Sequence, residues 1–230
     1  METKTAILVD GGFYKKRAHN LFGQKTAEER ADELQKYCML HIQDGMPYEK
    51  RSLYRVFYYD CPPLDSCVFH PKTGRNINLG RSDIYTWTNA FFTALKKKRK
   101  FALRLGYLSK IVHGYRLNPD ATKKLCSNRI SVDELTENDF ILETKQKGVD
   151  MRIGLDIAHL SYKHLVNQII LISGDSDFVP AAKLARKEGI DFILDSMKSH
   201  VVDELLEHVD GIFSHWNDPK IPTNPPNPTC

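Results

Sequence analysis

This chain of 230 residues lacks several features that would place it in a particular class of protein. No apolar run reaches the roughly 18 residues of a membrane-spanning helix, and no Gly-x-Gly-x-x-Gly or Walker loop predicts a nucleotide site. Its five cysteines show no regular spacing, which argues for reduced thiols rather than a disulfide scaffold. A net charge of +4 permits an anionic partner without requiring one. We therefore expect a cytoplasmic protein rather than a secreted or membrane protein.

The most informative stretch is an apolar segment at residues 169–172, which predicts a strand buried on both faces. Ser173 and Gly174 follow as a turn signal, and Asp175 and Asp177 come directly after it. A helical pattern then begins, with Asp177 as its predicted N-cap. Asp175 is thus expected at the carboxyl end of a core strand, where open α/β sheets bind ligands.

The same arrangement occurs near the start of the chain. Residues 5–9 form a short apolar run that ends in Asp10, Gly11 and Gly12. Taken alone, this sequence is typical of a simple turn. Because it repeats the pattern of a buried strand followed by an acid, we favour a functional interpretation for Asp10.

A third acid is predicted at the start of a helix over residues 151–162. This segment carries apolar residues almost all round, so we expect the helix to be buried against the sheet. Asp150 is either a favourable charge at the helix N-terminus or a member of the site. Asp156, six residues later, lies about 240° round the helix, so both carboxylates cannot face one centre. We assign Asp150 to the site because it is at the terminus.

Strand and helix patterns alternate along the chain and predict one α/β domain over residues 1–216. Turn-rich segments at about 61–81 and 118–138 are interpreted as loop insertions. The proline-rich residues 217–230 are expected to form a disordered tail. One alternative in the first insertion is a zinc site at Cys61, Cys67 and His70, but three ligands are too few for a structural zinc.

Three motifs, in this order, resemble the NYN domain family of PIN-like metal-dependent ribonucleases. They are Asp10-Gly11-Gly12-Phe13-Tyr14, then Lys147-Gly148-Val149-Asp150 with Asp156 behind it, then Ser173-Gly174-Asp175-Ser176-Asp177-Phe178. The resemblance covers roughly residues 4–213, and the third motif is its specific part. It implies a three-layer α/β/α fold with a mainly parallel central sheet and metal-dependent cleavage of RNA.

By position in these motifs, Asp10, Asp150 and Asp175 match the metal-binding acids of the family, and Asp177 matches an accessory acid. One departure concerns the residue three positions after the first acid. Many members have asparagine there, whereas this chain has Phe13. An amide that could orient a water or a phosphate is therefore missing at this position, which bears on substrate geometry and catalytic competence.

Oxygen ligands of this kind suit Mg²⁺ or Mn²⁺, which are the expected cofactors. The expected partner is RNA, single-stranded or structured, and association into a homodimer is left open. Candidate substrate-binding residues are Ser173, Arg17, Lys145 and Lys147; for the three basic residues the alternative is a solvated surface.

The leading hypothesis is a metal-dependent endoribonuclease that hydrolyses phosphodiester bonds at these aspartates. The first alternative is an RNA-binding module of the same fold with weak or no turnover, for which Phe13 is the motive. The second alternative is a small-molecule phosphohydrolase. It is less favoured because an aspartyl nucleophile is usually one of two acids after the first strand, whereas two glycines follow Asp10.

Overall fold

The computed structural model describes residues 2–43 and 50–215. The predicted tail at 217–230 lies outside them, as do the side chains at 109–113 and 144–145. The chain forms two compact units. The first, which we call the sheet unit, comprises Met1–Asp60, Ala90–Gly106 and Gly148–Cys230. The second, the hairpin unit, comprises Cys61–Asn89 and Tyr107–Lys147 and includes both predicted insertions.

Strands and helices alternate along most of the described chain. In order they are β1 (Glu2–Asp10), α1 (Gly11–Phe22), α2 (Ala27–Gln43), β2 (Lys50–Asp60), β3 (Cys67–His70), β4 (Arg75–Asn78), α3 (Asp83–Lys96), β5 (Phe101–Leu105), β6 (Tyr107–Leu117), α4 (Pro119–Cys126), β7 (Phe140–Lys147), α5 (Val149–Tyr162), β8 (Gln168–Ile172), α6 (Val179–Lys187), β9 (Asp191–Asp195), α7 (Asp203–Leu206) and β10 (Gly211–Ile212). Short 3₁₀ helices occupy Leu79–Arg81, Glu137–Asp139 and Ser176–Phe178.

The sheet unit is built on a six-stranded sheet in the order β10-β9-β8-β1-β2-β5. All neighbouring strands in it run parallel. All five residues of β8 are buried, as expected for a strand covered on both faces. From β1 the chain adds β2 and β5 on one side, then β8, β9 and β10 on the other. The junction of β1 and β8 is therefore the topological switch point, where open α/β sheets bind ligands.

Two adjacent tyrosines of β2 show that helices cover both faces of this sheet. The ring of Tyr58 lies edge-on to Phe91 of α3, with ring centroids 5.5 Å apart. The Tyr59 hydroxyl donates a hydrogen bond of 2.8 Å to Asp156 of α5. Successive side chains of a strand point to opposite faces, so α3 and α5 lie on opposite sides. The predicted three-layer α/β/α fold with a parallel central sheet is confirmed.

Helix α5 packs one face against the sheet and exposes the other. It buries Val149, Ile153, Ile157, Leu160 and Ser161. Met151, Leu155 and Tyr162 are exposed, with 72%, 63% and 59% of their surface accessible. The expectation that this helix is buried against the sheet is confirmed for this face, and the opposite face of the helix is exposed.

The hairpin unit contains regular structure where loops were expected. Strands β3 and β4 pair antiparallel within the first predicted insertion, and β6 pairs antiparallel with β7. Helix α4 occupies part of the second insertion, because the Asn118 side chain accepts a 2.7 Å hydrogen bond from the Ala121 amide and Pro119 fits the first turn. The His70 ring lies 4.3 Å from that of Tyr115, so it packs with aromatic residues.

None of the helices within residues 2–43 and 50–215 combines the length and apolarity required to cross a membrane.

Candidate active site

The acids at the end of β1 and in the turn after β8 lie at the switch point. Asp10 is the last residue of β1, and Ser173 comes directly after β8. The paired register of these strands, Val9 with Ile172, brings the two residues level at the same edge of the sheet. The two segments identified separately in the sequence therefore meet in space.

Ser173 links the two acids across this edge. Its hydroxyl donates to Oδ2 of Asp10 at 3.3 Å and accepts a hydrogen bond of 3.3 Å from the Asp175 amide. The other oxygen of Asp10, Oδ1, accepts from the Phe13 amide at 3.2 Å and so caps α1. Ser173 is fully buried, and these two bonds hold Asp10 and Asp175 in fixed relation.

The turn after β8 exposes two carboxylates. Oδ1 of Asp175 accepts a 3.0 Å hydrogen bond from the Asp177 amide and caps the 3₁₀ helix Ser176–Phe178. The prediction that Asp177 caps the following helix was wrong, because Phe178 occupies the N-cap position of α6 without a side-chain bond. A short 3₁₀ turn that the apolar pattern does not reveal moved the helix start by one residue. Both aspartates remain exposed to solvent.

Asp150 belongs to the first turn of α5 and is exposed. The N-cap of this helix is Gly148, whose φ of 78° lies in the left-handed region that favours glycine. Asp150 makes no capping bond. It has instead an electrostatic interaction with Asp175 and Asp177.

The pKa values of Asp10 and Asp150 are affected by the neighbouring acids. Burial is the largest influence on Asp10 and raises its pKa; the charge of Asp150 raises it further, against the hydrogen bonds from Phe13 and Ser173. Partial loss of hydration raises the pKa of Asp150, and the negative charges of Asp175 and Asp177 add to this effect. Negative charges near Asp10 and Asp150 disfavour the ionised forms of these two carboxyl groups, and a bound cation would relieve that effect.

Other acids of the sheet unit have cationic or polar partners. Asp60, at the end of β2, lies 2.7 Å from the Lys15 ammonium, and Asp156 accepts a 2.9 Å hydrogen bond from Arg104. In contrast, no Lys, Arg or His in the described part of the chain forms an ion pair with Asp10, Asp150, Asp175 or Asp177. Asp156, which we did not assign to the site, also accepts a hydrogen bond from Tyr59.

The four acids do not form a ready-made cage. Within residues 2–43 and 50–215, no three His, Cys, Asp or Glu side chains are grouped closely enough to hold a metal ion together. Mg²⁺ is usually held by one or two carboxylates together with water and substrate phosphate. The four aspartates, which have no cationic partner among the described residues, fit that mode of binding.

The predicted basic residues have different surroundings. Arg17 donates two hydrogen bonds to the Met197 carbonyl, from Nε at 3.2 Å and Nη2 at 2.6 Å. Lys147 is the last residue of β7, is exposed and belongs to the hairpin unit. The side chain of Lys145 lies outside the described residues. A role for these residues in substrate binding stays a prediction.

An acid that the sequence reasoning missed ends β9. Asp195 is fully buried, and its Oδ2 accepts hydrogen bonds from Tyr37 at 2.6 Å and from His41 at 2.9 Å. Its Oδ1 accepts from the Met197 amide at 2.8 Å and from Ser214 at 2.5 Å. The available signal was the same one that marked Asp10, a strand ending in an acid.

Glycine at position 11 is required by close packing beneath Asp10. A Cβ there would lie 2.5 Å from the Tyr58 hydroxyl oxygen and 2.6 Å from the Tyr59 carbonyl oxygen. Gly11→Ala is therefore expected to lower the free energy of unfolding by about 1–3 kcal/mol, measured by urea denaturation. Gly12→Ala is the matched control, because its Cβ would meet only Asp10 Oδ1 at 3.5 Å. Equal stability of the two variants would contradict this account.

Phe13 packs against the turn that carries Asp175. A Cβ placed on Gly174 would lie 2.8 Å from Cε2 of Phe13, so the ring lies directly against this glycine. The departure from the usual asparagine thus puts an apolar contact between the segments after β1 and β8.

Comparison with known proteins identifies the family. The family model described as NYN domain matches residues 82–215, which is more than half of the chain and includes Asp150, Asp175 and Asp177. Asp10 precedes the matched segment. No curated protein matches the chain. Among solved structures, a protein of unknown function from Vibrio parahaemolyticus is similar over 91% of both chains, with 14% identity and a TM-score of 0.43. The match to the family model, together with a six-stranded parallel sheet flanked by helices, shows that the chain belongs to the NYN domain family, a family of PIN-like nuclease domains.

Proposed function

We propose that this chain is a metal-dependent endoribonuclease whose active site consists of Asp10, Asp150, Asp175 and Asp177. The observation that carries the proposal is the convergence of four carboxylates without a cationic partner among the described residues, two of them with a raised pKa. Folding brings negative charges close together, and their repulsion favours a bound cation. The nuclease-like family agrees with this chemistry.

Asp150, Asp175 and Asp177 are the exposed acids, and we assign to them the direct contacts with Mg²⁺ or Mn²⁺. Asp10 is half-buried, and each of its oxygens already accepts one hydrogen bond, from Phe13 or Ser173. A carboxylate oxygen can accept a second contact, so Asp10 is oriented to hold the ion or one of its waters. When bound, the ion would neutralise charge on the phosphate oxygens and lower the pKa of a water.

RNA is the proposed substrate, although DNA also presents phosphodiesters. The test is incubation of labelled single-stranded and structured RNAs, beside DNA of the same sequences, with Mn²⁺ or Mg²⁺. We expect internal cleavage of RNA that stops in EDTA and is absent in Asp175→Ala. Because Asp175 is exposed, this variant should remain folded, which circular dichroism would check.

Three other outcomes would redirect the proposal. Cleavage that persists in EDTA, or in the Asp175→Ala protein, would contradict it. Metal-sensitive RNA binding without product on prolonged incubation would favour the RNA-binding module; the contact between Phe13 and Gly174 is the feature that motivates this alternative. Release of inorganic phosphate from small phosphoesters, with RNA left intact, would favour the phosphohydrolase.

A further inference from the structure

A second segment reaches the sheet edge that carries the proposed active site. Strand β9 is the parallel neighbour of β8, and Ile172 pairs with Asp195. Beyond the strands the Ser173 amide donates a 3.2 Å hydrogen bond to the Asp195 carbonyl. Residues 196–198 therefore follow β9 at the same edge as the turn from Ser173 to Asp177.

The backbone of this segment has an unusual conformation. Met197 has a φ of 45° and Lys198 a φ of 59°, both in the left-handed region. That region is unfavourable for residues with a Cβ. Five non-glycine residues of the described chain have positive φ, and only Met197 and Lys198 are consecutive. Conformations of this kind persist where the surroundings impose them, and they concentrate at functional sites.

Contacts from distant parts of the chain impose this conformation. The Met197 amide donates to Asp195 Oδ1 at 2.8 Å, and its carbonyl accepts both hydrogen bonds of Arg17. The Met197 side chain is fully buried, and the Ser199 amide donates to the Ser196 carbonyl at 2.8 Å. The Arg17 guanidinium group is thus bound to the backbone of this turn.

What this framework presents to solvent is Lys198. Its side chain is exposed, and no ion pair or hydrogen bond joins its ammonium to another described residue. The buried Met197 side chain contributes to packing, whereas no contact with a described residue explains a lysine at the next, left-handed position. An unpaired cation at the edge that gathers four acids is suited to a phosphate flanking the scissile one.

We propose that Lys198 binds a backbone phosphate of the RNA and that Arg17 positions it through the Met197 carbonyl. This inference rests on the proposed function, because it places the phosphate next to the acidic site. Lys198 is a binding residue rather than a catalytic one, so its loss weakens RNA binding without removing metal binding.

The test measures binding of a labelled single-stranded RNA by fluorescence anisotropy over a series of KCl concentrations. All proteins carry Asp175→Asn to prevent turnover. The protein with this substitution alone, called the parent in this test, is compared with proteins that also carry Lys198→Gln, Lys198→Arg or Lys198→Gly. The control is Lys187→Gln, which removes the same charge from an exposed lysine at the far end of α6, next to the opposite edge of the sheet.

Loss of one phosphate contact is expected to weaken binding about fivefold near 0.1 M salt and to reduce the slope of log K against log salt by about 0.7. Lys198→Gln and Lys198→Gly should both show this loss, Lys198→Arg should retain binding, and Lys187→Gln should match the parent. Glycine tolerates the left-handed conformation, so weak binding by Lys198→Gly identifies the charge, not a damaged turn, as the cause.

The failures of the two proposals can be told apart. If the parent binds RNA and Lys198→Gln or Lys198→Gly has the same affinity and salt slope, Lys198 makes no phosphate contact and only this inference is overturned. An equal loss in Lys187→Gln would also overturn it, because the effect would then be general charge. If the parent does not bind RNA and the chain with Asp175 intact does not cleave it, the proposed function is overturned as well.

Discussion

Asp150→Asn is expected to lower RNA cleavage by at least about 100-fold, because loss of even an outer partner of a metal ligand typically costs about 10–100-fold. The same substitution should raise the melting temperature of the metal-free protein. Asp150 lies at an exposed position, makes no capping bond, and has a pKa raised by loss of hydration and by Asp175 and Asp177. The amide removes the repulsion together with the charge that a cation requires.

The pH dependence of this effect has a defined sign. Below its ordinary pKa, the Asp150 carboxyl is protonated in the folded and the unfolded chain, so the parent and Asp150→Asn should differ least in acid. As the pH rises through the raised pKa, the folded parent must carry the repelling charge and loses stability relative to the variant. Thermal unfolding in EDTA between pH 3 and pH 8 would measure the difference.

Asp156→Asn is the matched control on the same helix. Its carboxylate accepts hydrogen bonds from Tyr59 and Arg104, so the substitution should lower stability while the response to Mn²⁺ and the cleavage rate persist. The parent should melt at a higher temperature with Mn²⁺ than in EDTA, and Asp150→Asn should lose most of that increase. A metal response that is equal in parent and Asp150→Asn would show that the ion, if bound, is held elsewhere.

The sequence was sufficient to predict strands β1 and β8 and their place in a parallel sheet. Continuous apolar runs specify doubly covered parallel strands, and such strands end at one edge of the sheet. The angular separation of Asp150 and Asp156 follows from helix geometry alone. In the structure, Oδ2 of Asp156 accepts hydrogen bonds from Tyr59 and Arg104.

An acid at the end of an apolar strand does not reveal, from the sequence alone, whether it has a partner in the folded chain. Asp10, Asp60 and Asp195 each end a buried strand, but Lys15 compensates Asp60 and His41 contacts Asp195. His41 is 154 positions away from Asp195 in the sequence, so no local pattern reveals the pair. Whether a strand-terminal acid remains uncompensated is decided by tertiary packing.

The turn at Met197 was hidden for the same reason. The segment contains no glycine to mark a left-handed conformation, and Arg17, which holds it, is 180 positions away. The exposed face of α5 could not be predicted either, because apolar composition does not reveal how many faces of a helix have packing partners. Met151 and Leu155 remain exposed on the side away from the sheet.

Asp195→Asn is expected to lower the free energy of unfolding by about 3–5 kcal/mol, because it removes a buried carboxylate on which several hydrogen bonds converge. The carboxylate accepts four hydrogen bonds, and the amide nitrogen of asparagine cannot accept the two that its oxygen does not. For a chain of this size the loss corresponds to a fall of roughly 10 °C in melting temperature. Tyr37→Phe removes one donor and should cost about 1 kcal/mol.

Acid should abolish the advantage of the parent over Asp195→Asn. Burial alone would raise the pKa of Asp195, but the hydrogen bond and charge of His41, with the bonds from Ser214 and Tyr37, hold it below its ordinary value. A lowered pKa adds stability above the ordinary value of the unfolded chain, and that stability is lost as the pH falls through the folded value. Urea denaturation from pH 7 to pH 3 would measure the convergence. The control is Asp120→Asn, which breaks an exposed ion pair with Lys124 and should therefore change the stability little. If Asp195→Asn were as stable as Asp120→Asn at pH 7, the buried carboxylate would not be the anchor of the end of β9.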